Sequence, residues 1–116
     1  MNTDVRNNSG VTVLDLQGKL TIGEGDVVLR DSFVERLNLG NRKFLINLDR
    51  VKSIDSSGLG ELIRCKATAA KAGAEVKLLN VNLKARKLLT MASLVGVFEM
   101  FDDEDLAVSS FGPEEG

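Results

Sequence analysis

At 116 residues the chain is long enough for one domain that buries a single core without disulfides or metal. Fifteen Lys and Arg against 17 Asp and Glu leave a formal net charge of −2, and there is no Trp or Tyr, which argues against a basic or base-stacking nucleic-acid surface. The absence of His excludes Ser-His and Cys-His nucleophiles and every His-based zinc site, and no run approaches the roughly 18 apolar residues of a transmembrane helix. With no signal-peptide pattern at the start, the expectation is a cytoplasmic protein that does not insert into a membrane.

Residues 3–8 read as an edge strand, Asn8-Ser9-Gly10 as a turn, and residues 11–16 as a strand mixing alternation with an adjacent Val13-Leu14 pair, so the chain opens with a hairpin. The stretch Ile22-Gly23-Glu24-Gly25-Asp26 reads as an enlarged loop. Its two glycines lack the third glycine and the context of a phosphate cradle. Asp26 is predicted to cap a helix running to about Asn38, with Val27, Leu29, Val34 and Leu37 packing inward and Gly40 ending it.

Phe44, Leu45, Ile46 and Leu48 form a nearly continuous apolar run, as in a central strand covered on both faces. Across Asp55-Ser56-Ser57-Gly58 the period changes from strand to helix, with Leu59, Leu62, Ile63 and Ala70 at helical spacing up to Gly73. Asp and Ser are favoured N-caps, so this turn reads first as a structural cap, a role open to Asp55, Ser56 or Ser57. Cys65 reads as a small packing residue.

Residues 75–79 are predicted to form the next buried strand. Asn82 is predicted to cap a helix carrying Leu83, Leu88, Leu89 and Met91 inward and Lys84, Arg86 and Lys87 outward, a solvated face whose functional alternative is an acidic partner. Residues 97–101 suggest a short final strand. The acids Asp102, Asp103, Glu104 and Asp105 then complement the dipole of a last helical turn and lack the spacing of a calcium loop.

The segment Asp55-Ser56-Ser57-Gly58-Leu59-Gly60 resembles the signature of the STAS domain family, in particular the stand-alone bacterial anti-sigma factor antagonists. The Asn47-Leu48 strand before it, and the strand over 75–79 and helix around Leu88 after it, fall in that family's order. The likeness runs from about residue 5 to residue 110. It implies a single α/β domain over 1–110 with a tail over 111–116. The implied sheet is mixed, with four to five strands and about four helices mainly on one face, in the order β-β-α-β-α-β-α-β-α.

The resemblance also implies a function. The unphosphorylated form would bind an anti-sigma factor serine kinase and release a sigma factor. Phosphorylation of Ser56 would end that binding, and a serine phosphatase would reset it. Asp55, Ser56, Ser57, Gly58 and Leu59 are then the expected partner-binding residues, and a bulky residue at Gly58 is expected to crowd the partner. No catalytic residue, metal or cofactor is expected, since no base, nucleophile and orienter can be assembled and ATP would belong to the kinase. The alternative is a non-catalytic STAS scaffold in a larger regulatory or transport assembly. In many relatives an acidic residue follows the glycine at position 18; here Lys19 does, which bears on partner choice.

Overall fold

The computed structural model describes residues 1–112. Five strands, β1 (Asn2–Asn8), β2 (Val11–Leu20), β3 (Lys43–Ile54), β4 (Glu75–Leu79) and β5 (Met100–Phe101), lie side by side in chain order. Between and after them run α1 (Gly25–Asn38), α2 (Ser56–Lys71), α3 (Leu83–Met91) and α4 (Glu104–Ser110), which is the predicted order. β1 is antiparallel to β2, and β2 to β5 are mutually parallel, each parallel step bridged by a helical crossover. The hairpin turns on Ser9 and Gly10, both at positive φ (54° and 86°), the backbone that matches the twist of a two-residue connection.

Phe44, Leu45 and Ile46 are all fully buried, which an extended chain achieves only when both faces of the sheet are covered. One parity, including Leu14, Leu16, Phe44, Ile46, Val76 and Leu78, packs against α1, α2 and α3. The other, Val11, Val13, Leu45 and Leu79, packs against Ala107 and Phe111 of the α4 region. Three helices therefore share the main face and one short helix covers the back. Further along the back face a polar row continues the strands: Arg6 donates to Asp15 (2.6 Å), Asn47 to Asp15 (2.8 Å) and Asn80 to Asn47 (3.0 Å).

Several local expectations change. α1 starts at Gly25, one residue before the predicted cap, and Asp26 lies inside its first turn, where its carboxylate accepts from Val27 N. Its inward stripe is Leu29, Phe33 and Leu37, at spacing four, with Phe33 tilted against Phe44 at 4.6 Å between ring centroids. Val27 and Val34 fall on other faces of that helix and are exposed. In α3 the same geometry turns Ala85 and Leu89 inward with Leu88 partly buried, leaving Leu83 and Met91 85% and 79% exposed.

The acidic run is used within the fold. Asp103 caps α4 through Leu106 N (3.0 Å), and Glu104 accepts from Arg6 and Asn8 (2.7 Å each), fastening α4 to the hairpin. Phe111 is buried beside Val11 and Val13 and so belongs to the domain. Of the predicted tail, residues 113–116 lie outside the described residues. Lys77 is buried on the same face, where its ammonium donates to Ser110 O (3.0 Å), pairs with Glu99 (3.1 Å) and lies 4.6 Å from the Phe111 ring centroid.

Candidate functional site

The parallel register sets Leu20, the last residue of β2, beside Ile54, the last of β3, so the segments that follow emerge next to each other. Asp55 joins them. It takes an extended conformation as the N-cap of α2, and its Oδ1 accepts from Gly58 N (2.9 Å), closing the first turn. Its Oδ2 accepts from Ile22 N (3.1 Å), and its own N–H donates to Leu20 O (3.4 Å), which ties residues 21–24 to the start of α2. The hydrogen bonds from Gly58 and then Ile22 hold the Asp55 carboxyl below its ordinary value.

Gly58 is required by packing. A Cβ there would stand 2.0 Å from Leu20 O, inside the backbone, whereas one at Gly60 would meet nothing within 4 Å. Gly25 repeats the arrangement at the start of α1, where a Cβ would lie 2.2 Å from Lys19 O. Both helices thus seat a bare first turn directly on the end of β2. Residues 21–24 consequently form a tight connection in place of the enlarged loop expected.

The five expected partner-binding residues are contiguous but differ in access. Ser56 is exposed, Asp55 and Ser57 are half-buried, and Gly58 and Leu59 are buried. Gly58 and Leu59 therefore shape the turn from beneath, and a substitution at Gly58 strikes the fold before it reaches any partner. The cap is Asp55 and not Ser57. Neither serine hydroxyl takes a hydrogen bond among the described residues, so Ser56 is an unengaged hydroxyl at the first helical position.

Two features around the turn escaped the sequence reading. Ile22, tied to Asp55 through its amide, leaves its side chain 72% exposed. On the other side, the first turn of α3 meets the end of β3 along a shallow groove lined by Ser53, Ile54, Asn82 and Lys84, next to exposed Leu83. The signal for Leu83 was present: a residue directly after a cap at Asn82 lies off the Ala85 and Leu89 stripe. By contrast Cys65, at the interior of α2, is a packing residue whose thiol burial pushes up to about 12. No cluster of His, Cys, Asp or Glu among the described residues is grouped to hold a metal ion, and no described helix is long and apolar enough to cross a membrane.

The family profile described as Mlab, STAS domain matches residues 3–101. The chain is a member of the STAS domain family. It is 25% identical over 103 residues to an anti-sigma F factor antagonist of Paenibacillus polymyxa, covering 87% of this chain and 86% of that one. The crystal structure of a Thermotoga maritima protein assigned to the anti-sigma factor antagonists superposes with a TM-score of 0.85 at 24% identity, over 93% of this chain and 92% of that one. The Bacillus cell fate determinant SpoIIAA in its phosphorylated form shares this STAS fold at a TM-score of 0.74 and 20% identity, over 95% and 99% of the two chains. Its unphosphorylated form does so at 0.79 and 20%, over 95% and 96%.

Proposed function

We propose that this STAS domain is an anti-sigma factor antagonist whose unmodified form binds an anti-sigma factor serine kinase and thereby frees a sigma factor, with Ser56 as the switch. The observation that carries the reading is the exposed, unengaged Ser56 hydroxyl at the first position of a helix already capped by Asp55. The names borne by similar proteins support the same class of partner. The chain is the substrate of the chemistry, not its catalyst. The kinase transfers the γ-phosphoryl group of ATP to Ser56 Oγ: the new O–P bond forms as the anhydride bond to ADP breaks, and the hydroxyl proton is lost. A serine phosphatase returns the hydroxyl by hydrolysis.

A phosphoserine brings about −1.5 to −2 charges at neutral pH. At the start of α2 that charge meets the positive end of the helix dipole, so the domain tolerates it. An interface does not, because a docked partner must desolvate the phosphate beside the Asp55 carboxylate. Exposed Ile22 and Leu83 offer the apolar contacts on either side of the turn. Phosphorylation thus changes docking while leaving the fold in place.

Calorimetric titration of Ser56→Ala and Ser56→Asp against the anti-sigma factor kinase of the same cell tests this. Ser56→Ala is expected to bind like the unmodified parent and Ser56→Asp at least tenfold more weakly, with both melting near the parent. Equal affinities would remove the electrostatic switch.

A further inference from the structure

β1 is the outer strand of the sheet and, among the described residues, pairs only with β2. Its seven residues, Asn2–Asn8, contain no proline, lysine or bulge, and its charged residues are one of each sign, Asp4 and Arg6, which repel a like edge only in some registers. The two-residue turn makes Asn8 and Val11 a hydrogen-bonded pair, and alternation along the ladder then directs the backbone groups of Asn2, Asp4, Arg6 and Asn8 toward β2. Those of Thr3, Val5 and Asn7 point outward, and none of them bonds to a loop or helix among the described residues.

The charges on this edge are unbalanced within one copy. Asp4 stands directly across from Asp15 in the β1–β2 register, a like-charge neighbour. Arg6 is committed to Asp15 and Glu104, and Asp4 makes no ion pair among the described residues.

We propose that β1 is a self-pairing edge, on which a second copy of this chain docks its own β1 antiparallel about a two-fold axis through Val5. In that register Thr3 exchanges backbone hydrogen bonds with Asn7 of the second copy, Val5 pairs with its counterpart, and Asp4 falls opposite Arg6 on both sides of the axis. Shifting the axis to Asp4 or Arg6 keeps the backbone bonds but sets carboxylate against carboxylate or guanidinium against guanidinium. Charge therefore selects the Val5 axis, and the interface is isologous and closed. A seven-residue polar edge buries little apolar surface, so the association is weak and concentration-dependent. The edge lies two strands from β3, which leaves the Ser56 turn open on both copies.

The test is sedimentation equilibrium of the full chain with amide hydrogen exchange followed by NMR, at protein concentrations rising to about 1 mM. A monomer–dimer equilibrium is expected, with exchange at Thr3, Val5 and Asn7 slowing as dimer forms and exchange at Asp4 and Arg6 unchanged. Val5→Pro removes an outward N–H and spares the ladder to β2, so it should abolish the dimer in a folded protein. Asp4→Arg sets two cations opposite each other across the axis while relieving the contact with Asp15. It should raise the dissociation constant at least tenfold with no loss of thermal stability. A monomer at every concentration would overturn the proposal, as would a dimer indifferent to Val5→Pro or amide protection that maps to another edge.

Discussion

Two helix starts sit on the same strand end and are built differently. α1 and α2 each press a glycine onto the carbonyl end of β2, Gly25 over Lys19 and Gly58 over Leu20, so the packing constraint is shared. The caps differ. Glu24 before α1 makes no side-chain cap bond, whereas Asp55 before α2 closes its own first turn and holds Ile22 as well. The first turn of α1 presents Gly25, Asp26 and Val27, without a hydroxyl; that of α2 presents Ser56 and Ser57. Seating a helix on this sheet therefore requires the glycine but not a strong cap. Asp55 does more than seating needs: it fixes the turn that displays Ser56, leaving the serine free of a structural task.

The shared half of the comparison breaks most severely at the glycines. Gly58→Ala and Gly25→Ala each drive a Cβ into backbone, and each is expected to cost more than about 3 kcal/mol, a fall of about 10 °C or more in melting temperature. Gly60→Ala, two residues beyond Gly58 with open space around it, should instead stabilise by about 0.5 to 1 kcal/mol. Thermal melts of the three variants decide whether the glycines serve close approach or only flexibility.

The differing half is sharpened by the caps. Asp55→Ala should lower the urea midpoint clearly, while Glu24→Ala should stay within about 0.5 kcal/mol of the parent. The pH dependence has a defined sign. Because the Asp55 carboxyl is held below its unfolded value, its contribution is complete above the ordinary carboxylate range and is lost as pH falls through the lowered value, below about pH 4. Asp55→Asn, which keeps an acceptor and lacks the charge, should lose that part of the acid dependence in urea titrations at pH 7 and pH 3.

The smallest expected effect lies at the serine itself. Ser56 is the first helical residue and not the cap, so Ser56→Ala should change stability by no more than about 0.5 kcal/mol. A larger loss in its melting curve would mean that the hydroxyl serves the fold.

The order of elements and the central strand were legible because they depend on period and on consecutive apolar residues, as at Phe44, Leu45 and Ile46. The inward faces of α1 and α3 were read less well. Val27, Val34, Leu83 and Met91 are apolar, yet a helix buries residues by angle, and the stripes through Leu29, Phe33 and Leu37 and through Ala85 and Leu89 left them outside. At the site, the Asp55-Ser56-Ser57-Gly58 turn was visible as a strand-to-helix change. The cap bond of Asp55 to Gly58 N is local, but residue type alone left Asp55 and the serines as rival caps. The hold of Asp55 on Ile22 and the seating of Gly58 on Leu20 were not legible, because both depend on residues more than thirty positions earlier in the chain. Phe111 likewise belongs to the core through a back-face contact that no local pattern announces.

The central claim is that Ser56, and not its half-buried neighbour, receives the phosphate. Parent protein, Ser56→Ala and Ser57→Ala would each be incubated with the anti-sigma factor kinase of the same cell and ATP, and the phosphate located by fragment mass spectrometry. Phosphate on Ser56 in the parent and in Ser57→Ala, with none on Ser56→Ala, is the predicted result. Phosphate on Ser57, or incorporation into Ser56→Ala equal to the parent, would contradict it.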